Sequence, residues 1–279
     1  MPLTPSETRV VLTEIGHRPK KQLGQNFLVD GNIVKKSLLM SEVSQTRKIV
    51  EIGPGLGTLT EELLNQDYQV HAVEIDPKLV AYLQSRFSPW IEKKMLLLTE
   101  ANAVKLPTGS HLVPEDDFSV VANLPYAISS AWLEAVLSKE PIPESMTLML
   151  QKEAADRMWA KPGTKNYNAL SIFLHGSFQF ISSHPVSRNC FHPVPAVDSI
   201  LIHMERKSHP FLFPKNSRRL IRKIFTKRRK QMGAVIKQEV TPLREILDRW
   251  MEESNLPKSI RPEGIVPDQW QKLAGWIPN

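Results

Sequence analysis

The residues best suited to carry out chemistry are the four consecutive residues Asn123-Leu124-Pro125-Tyr126. An asparagine side-chain oxygen and the following main-chain carbonyl can accept hydrogen bonds from an exocyclic amine, while proline fixes the turn. The tyrosine ring offers a flat face on which an extruded base can stack. These properties suit methyl transfer to an adenine amine, because that weak nucleophile needs positioning more than a strong base. An ordinary turn is the alternative, so the context of the four residues decides.

A glycine-rich turn precedes this tetrapeptide in the chain, at Glu51-Ile52-Gly53-Pro54-Gly55-Leu56-Gly57. Glycines let the backbone approach a ligand closely, and a helix that starts there presents free N–H groups. A dinucleotide-binding turn would place its third glycine at position 58, which is a threonine. We therefore expect Gly53 and Gly55 to contact a cofactor other than a dinucleotide. A tight turn that binds nothing is the alternative.

Two further polar residues follow neighbouring strand-like segments. Glu74 stands 21 residues after Gly53, where a carboxylate can accept hydrogen bonds from both ribose hydroxyls of NAD or S-adenosylmethionine. Asn102 follows the next strand and can meet the adenine edge of the same cofactor. Combined with the tetrapeptide, these positions favour S-adenosylmethionine.

The elements that must position these motifs alternate between strand and helix. Strands are predicted at Lys48–Ile52, Gln69–Ile75, Met95–Leu98, Phe118–Ala122, Met146–Leu150, Phe178–Ser183 and Ser199–Glu205. Helices are predicted at Asn32–Met40, Thr58–Asn65, from Pro77, at Ser129–Leu137 and at Lys152–Trp159. The alternation predicts an α/β fold with a doubly wound, mostly parallel, Rossmann-like sheet. The last two strands lack an obvious helix between them, which predicts an antiparallel edge.

The domain organisation follows from the same patterns. Residues 1–20 contain scattered prolines and little periodicity, which predicts a flexible arm. Residues 21–207 form the predicted methyltransferase domain, with a boundary near Ser208. Residues 208–279 predict a small all-α domain with helices at Ser217–Lys237, Thr241–Met251 and Pro267–Gly275.

The positive charge is concentrated in that last segment. The chain has a formal net charge of +7, yet residues 208–279 hold 15 Lys and Arg against 7 Asp and Glu. A polyanion partner, RNA or DNA, is therefore predicted, with a solvated basic face as the alternative. Candidate phosphate-binding residues are Arg222, Lys223, Lys227, Arg228, Arg229 and Lys230. The N-terminal residues Arg18, Lys20 and Lys21 are expected to add to the same field.

Several classes of protein are disfavoured by the composition. No apolar stretch is long enough to cross a bilayer, and the first residues lack a signal-peptide pattern. A single cysteine, Cys190, rules out an internal disulfide framework, and no basic neighbour is spaced to activate it. The histidines show no metal-ligand spacing, so we expect no metal. A cytoplasmic setting fits these features.

The motifs occur in an order that resembles one family. They are Lys21-Gln22-Leu23-Gly24-Gln25-Asn26-Phe27-Leu28, Glu51–Gly57, Val73–Asp76, Asn123–Tyr126, Leu150–Glu153, Phe191–Ser199 and Phe225–Lys230. This set resembles the small-subunit ribosomal RNA adenine N6,N6-dimethyltransferases of the bacterial KsgA type.

The resemblance implies roles for individual residues. Asn26 and Leu28 would touch S-adenosylmethionine, Gly53 its amino-acid part and Glu74 its ribose. Asn123 would lie between cofactor and target amine. Phe191 would form the second wall of an aromatic sandwich with Tyr126. The implied substrates are two adjacent adenosines in the 3′-terminal hairpin loop of 16S ribosomal RNA, within the immature 30S subunit. We expect a monomer.

The chain departs from the family pattern at two positions. Asn102 stands where aspartate is usual, and Ala127 where a second asparagine is usual. The first change removes a charge beside the cofactor adenine, whereas the second is expected to leave activity intact.

Three alternatives remain open from the residues alone. A large-subunit RNA methyltransferase of the antibiotic-resistance type shares the motifs. A non-catalytic nucleic-acid-binding factor would keep the fold, but the intact tetrapeptide opposes it. An NAD oxidoreductase is disfavoured by the glycine spacing.

Overall fold

The computed structural model describes residues 3–41 and 47–278. In chain order, the strands are β1 (Phe27–Leu28), β2 (Lys48–Ile52), β3 (Gln69–Glu74), β4 (Leu96–Glu100), β5 (Ser119–Asn123), β6 (Ser145–Gln151), β7 (Phe178–Val186), β8 (Phe191–His192) and β9 (Ser199–Arg206). The helices are α1 (Pro5–Glu14), α2 (Gly31–Ser41), α3 (Thr58–Asn65), α4 (Pro77–Arg86), α5 (Ser88–Glu92), α6 (Ser129–Val136), α7 (Lys152–Met158), α8 (Ala169–Ser177), α9 (Lys215–Phe225), α10 (Met232–Ile236), α11 (Leu243–Glu253) and α12 (Pro267–Ala274).

The central sheet has the strand order β4-β3-β2-β5-β6-β9-β7. Strands β2 to β6 pair in parallel, whereas β9 pairs antiparallel with β6. The order reverses between β2 and β5, and ligands bind at such a switch point, outside the carboxyl ends of the strands. The predicted α/β fold with its antiparallel edge is confirmed.

The central strands β2 and β5 are buried on both faces because they are apolar and helices cover them. Ile49 and Val50 of β2 and Val120 of β5 are fully buried. Helix α4 begins at its favoured proline, Pro77, and the Asp76 side chain accepts a hydrogen bond from the Lys78 amide. The sequence therefore defines the start of α4 at the end of β3, which fixes where Glu74 and Asp76 lie.

The N-terminal segment contains a helix, α1, in the stretch predicted to be a flexible arm. Residues 1 and 2 lie outside the described part, but α1 follows at once, with a capping box between Thr4 and Glu7. Leu12 of α1 is buried in a cluster with Phe27, Leu56 and Leu79. The prediction missed α1 because a single buried stripe on a short polar helix gives a weak periodic signal.

The chain forms two compact units. The first comprises the chain up to Ala155 and Phe180–Arg206, and the second comprises Asp156–Gln179 and the chain from Lys207. The predicted division at Ser208 did not foresee that Asp156–Gln179 belongs with the later helices. Helix α8 lies in that segment, and every one of its residues except His175 is buried. A nearly all-apolar short helix lacks the amphipathic period by which helices are recognised.

The predicted helix Ser217–Lys237 is two helices, α9 and α10, separated by a turn. Four consecutive cations, Lys227–Lys230, lie in that turn. Within one continuous helix they would stand close together with no acid between them, which is unfavourable. Among the described residues, no helix is both long and apolar enough to span a membrane.

Candidate active site

A single cleft in the first unit collects the predicted cofactor and tetrapeptide residues. It opens at the switch point between β2 and β5. The predicted residues that line it are Asn26, Leu28, Gly53, Gly55, Glu74, Asn102, Asn123, Leu124, Pro125 and Tyr126. Chain segments separated by about a hundred positions therefore meet around one space, as the sequence predicted for a doubly wound sheet.

The glycine turn touches the tetrapeptide directly. Gly53 follows β2 with a φ of +66°, and a Cβ on it would lie 2.8 Å from Cγ of Pro125. Real Cβ atoms do not approach other carbons this closely, so only glycine fits. The close approach joins the carboxyl ends of β2 and β5 and keeps the backbone of the turn open to the cleft.

Glu74 is held at the end of β3 by main-chain amides. Its Oε1 accepts hydrogen bonds from the Ile75 and Asp76 amides at 2.9 and 3.0 Å. Its Oε2 accepts one from the Gly55 amide at 3.3 Å. Burial raises the pKa of Glu74, and these three hydrogen bonds oppose that rise. A carboxylate offers about four lone-pair positions, so Oε2 keeps acceptor capacity toward the cleft.

Glu51 is a second buried carboxyl group in the cleft, and it was not among the predicted site residues. It lies in β2, and its Oε2 accepts a hydrogen bond from Thr60 Oγ1 at 2.6 Å. Burial raises the pKa of Glu51 to about 8, and the nearby charge of Glu74 adds to the rise. A carboxyl residue inside an otherwise apolar strand was the signal that could have identified it.

Asn123, the last residue of β5, has its amide orientation fixed by the N-terminal segment. Its Nδ2 donates a hydrogen bond to the main-chain oxygen of Asn26 at 3.0 Å. The side-chain oxygen Oδ1 is therefore the group left to accept a hydrogen bond from a ligand. The Leu124 amide donates to the Met149 carbonyl at 3.2 Å, which holds the tetrapeptide against β6.

Tyr126 begins a short 3-10 turn, Tyr126–Ile128, that leads into α6. Its hydroxyl is hydrogen-bonded to the hydroxyl of Ser199, the first residue of β9. Burial raises the pKa of Tyr126, so the phenol stays protonated at neutral pH. The contact connects the tetrapeptide to the end of the Phe191–Ser199 motif.

The N-terminal segment crosses the cleft close to the tetrapeptide. Gly24 has a φ of +66°, and a Cβ there would lie 3.0 Å from the Tyr126 amide nitrogen. The following residues form β1, which pairs antiparallel with β8. Asn26 and Leu28, which line the cleft, are thus positioned by backbone contacts on both sides.

An ionic cluster around the buried Asp76 anchors this segment. Asp76 is 1% exposed, and its Oδ2 accepts hydrogen bonds from Lys20 Nζ at 2.8 Å and Gln25 Nε2 at 3.3 Å. His17 Nε2 lies 3.8 Å from the same oxygen. Burial alone would raise the pKa of Asp76, but the hydrogen bonds from Lys20 and Gln25 outweigh it and lower the pKa. Lys20, expected to serve a nucleic-acid field, instead pairs with Asp76.

Two predicted site residues have surroundings that the sequence did not foresee. Phe191 is 2% exposed and packs in the main apolar cluster with residues such as Leu28 and Val34, and it is not among the residues lining the cleft. The structure therefore does not bring it into an open sandwich with Tyr126. Asn102 lines the cleft, but its Oδ1 already accepts a hydrogen bond from the Val104 amide at 2.9 Å. This hydrogen bond occupies Oδ1 of Asn102 and does not involve its Nδ2.

The six predicted phosphate-binding residues lie in the second unit, on α9 and in the turn after it. Three of them have partners there. Arg222 lies over the Phe173 ring at 5.6 Å, Lys223 pairs with Glu239 at 2.5 Å, and Arg228 Nη1 donates to the Lys165 carbonyl at 2.5 Å. Arg229 and Lys230 are exposed.

Comparison with known proteins shows which family the chain resembles. The ribosomal RNA adenine dimethylase family matches residues 16–255. The chain belongs to this family. This confirms the family predicted from the motifs, and the match takes in the cleft, the tetrapeptide and the helices through α11.

Individual relatives in the family cover almost the whole chain. The ribosomal RNA small subunit methyltransferase A of Opitutus terrae is 45% identical over 277 residues, 98% of each chain. The protein of that name from Protochlamydia amoebophila is 34% identical and covers 96% of this chain and 95% of its own.

Two crystal structures resemble the fold over most of its length. A dimethyladenosine transferase from Plasmodium falciparum matches with a TM-score of 0.71 and 25% identity, covering 88% of this chain and 95% of its own. The 23S rRNA methyltransferase ErmE matches with a TM-score of 0.61 and 25% identity, covering 90% of this chain and 99% of its own.

Proposed function

We propose that this chain transfers methyl groups from S-adenosylmethionine to N6 of two adjacent adenosines in the 3′-terminal hairpin loop of 16S ribosomal RNA, dimethylating each. The observation that carries the proposal is the cleft in which the glycine turn, Glu74 and the Asn123–Tyr126 tetrapeptide meet. The names of the relatives support the small subunit as the target.

The residues of the cleft fit S-adenosylmethionine. Glu74 keeps an acceptor position for ribose hydroxyls beside the glycine turn, and Asn102 stands where an adenine edge would lie. Gly53 and Gly55 expose backbone to the amino-acid part, with Asn26 and Leu28 on the N-terminal side. When bound, the cofactor supplies a methyl group on a sulfonium, open to in-line displacement.

The tetrapeptide acts by orienting the target amine. Asn123 Oδ1 and the Leu124 carbonyl would accept hydrogen bonds from its two N–H groups, which would hold the nitrogen in position for methyl transfer. Pro125 fixes the turn, and Tyr126 stacks against the extruded base. The amine becomes acidic as the new N–C bond forms, so its proton would pass to solvent without a strong base. Phe191 would have to become accessible before it could take part in stacking.

The partner is the immature 30S subunit, held through phosphate contacts by cations of the second unit. We expect a cytoplasmic monomer. The likeness to ErmE makes a large-subunit target the second candidate. The deciding experiment incubates the chain and labelled S-adenosylmethionine with unmethylated small subunits or with large subunits, and maps modified nucleosides by mass spectrometry. Dimethyladenosine confined to the large subunit would overturn the proposal.

A further inference from the structure

The second unit contains an exposed loop outside the predicted RNA-binding residues. Residues 159–168 join α7 to α8, and Lys161, Thr164 and Lys165 within them are exposed. We define the segment 161–165 as the KPGTK loop. It precedes the basic C-terminal segment by about fifty positions, so sequence spacing gives no hint that the two are neighbours.

The KPGTK loop is held by contacts with other parts of the second unit. The Gly163 amide donates a hydrogen bond to the Glu263 carbonyl at 2.6 Å. Immediately after the loop, Tyr167 is fully buried, donates to the Ile265 carbonyl at 3.0 Å and packs edge-to-face on Phe225 at 5.9 Å. The loop backbone is therefore ordered before any ligand arrives, and less conformational freedom is lost on binding.

Arg228 brings the loop to the cationic turn after α9. Its Nη1 donates to the main-chain oxygen of Lys165 at 2.5 Å. The contact uses the Lys165 carbonyl and leaves the ammonium group of that residue unengaged. An arginine has five donors, so Arg228 keeps others for a ligand.

The resulting surface is strongly positive. It combines Lys161 and Lys165 with the four cations Lys227–Lys230. One acidic residue, Glu263, contacts the loop, and it does so through its main-chain oxygen. Among the described residues, the side chains of Lys161, Lys165, Lys227, Arg229 and Lys230 have no ion-pair partner. Lys223, by contrast, is neutralised by Glu239. Unpaired cations held by an ordered backbone suit the regularly spaced phosphates of RNA.

We propose that Lys161 and Lys165 of the KPGTK loop bind phosphates of the RNA substrate together with Lys227–Lys230. The inference rests on the proposed function and adds a second, sequence-distant segment to its RNA-binding surface. The contacts position RNA without selecting its sequence, because phosphates are the same at every nucleotide.

The test is the double substitution Lys161→Gln and Lys165→Gln in the full chain. Binding to unmethylated small-subunit RNA is measured at several KCl concentrations. Two lost phosphate contacts should reduce the slope of log affinity against log salt by about 1.4 to 1.8. The matched control is Lys93→Gln with Lys94→Gln, two exposed lysines that precede β4 at the opposite end of the sheet from the cleft. We expect the control to leave the slope unchanged.

An unchanged slope in the loop variant would overturn the inference, whatever happens to the affinity. A weaker affinity with the wild-type slope would indicate damage to the fold and not the loss of phosphate contacts. Failure of the proposed function gives a different result. In that case the wild-type chain would bind RNA with a loop-dependent slope but place no dimethyladenosine in small subunits. Thermal unfolding of the variant should match the wild type, because the Lys165 carbonyl that Arg228 contacts is retained.

Discussion

The side-chain nitrogen of Asn123 lies 3.0 Å from the main-chain oxygen of Asn26 and donates a hydrogen bond to it. This contact decides which end of the amide faces the cleft. Because Nδ2 donates to the protein, Oδ1 is the atom of this carboxamide that can accept a hydrogen bond from a substrate. The N-terminal segment thereby determines the hydrogen-bonding character of the tetrapeptide.

Substitution of Asn123 should strongly impair methyl transfer. Asn123→Ala removes the acceptor for the target amine, and we expect a fall of about 100-fold or more in kcat, equivalent to about 2.7 kcal/mol of barrier. Asn123→Asp should be similarly impaired, because a carboxylate oxygen would face the Asn26 carbonyl oxygen without a proton between them. RNA affinity, measured by filter binding, should stay within about twofold. An equal loss of binding and activity would contradict the assignment.

Glu74→Ala should weaken cofactor binding. The change removes acceptors for the ribose and releases the amides of Gly55, Ile75 and Asp76. An unmade buried hydrogen bond costs about 1–3 kcal/mol, so calorimetry should show a dissociation constant at least about tenfold higher. Glu92→Ala, at an exposed position of α5, is the control. Unaltered affinity in Glu74→Ala would remove this carboxylate from the cofactor site.

Asp76→Ala should disturb catalysis although Asp76 lies outside the cleft lining. It would release Lys20 and Gln25, and with them the segment that carries the Asn26 carbonyl. We expect a kcat about tenfold lower and a higher KM for S-adenosylmethionine, with a lower unfolding midpoint from the lost helix cap. Asp76→Asn keeps an acceptor for the Lys78 amide and should recover stability more than kcat. Full activity in both variants would show that the anchor has no catalytic consequence.

Removing the partner of the Tyr126 hydroxyl tests whether the ring orientation matters. Ser199→Ala and Tyr126→Phe each delete the same hydrogen bond. We expect each to lower kcat by about threefold to tenfold, and the double variant to lose no more than either single change, as coupled residues do. Additive losses in this double-mutant cycle would mean that the two hydroxyls act independently.

The buried carboxyl of Glu51 should make stability depend on pH. Because its pKa in the folded state, about 8, exceeds the ordinary value of 4.5, the folded chain holds this proton more tightly than the unfolded chain. The contribution of Glu51 to stability is therefore full below pH 4.5 and is lost as pH rises to 8. Thermal unfolding at pH 5, 6, 7 and 8 should show the wild type losing stability relative to Glu51→Gln. A constant difference across the range would mean an ordinary pKa.

The strand ends that carry Gly53, Glu74 and Asn123 are predictable from the sequence. Short apolar runs bounded by turn residues locate parallel strands, and chain order then brings their carboxyl ends to one edge. The family follows from the same motifs. These features depend on local patterns, which can be recognised in a single sequence.

Other features depend on which distant residues meet, and no local pattern records them. In the Asp76 cluster, Lys20 lies 56 positions and Gln25 lies 51 positions before Asp76 in the sequence. The burial of Phe191 reflects its pairing with Leu28 across β1 and β8. The engagement of Asn102 by Val104 is local, but an asparagine side chain can turn either amide end toward its own backbone.

The second unit is built from two separate stretches of the chain, and this limits how the protein can be divided. A chain cut after Arg206 would keep α8 but lose Phe213, which packs on Phe173, and Phe225, which packs on Tyr167. The aromatic surface so uncovered would promote aggregation, and an inactive fragment would then say nothing about which half performs catalysis. Separating the halves requires excising residues 156–179 as well and bridging the gap between Ala155 and Phe180.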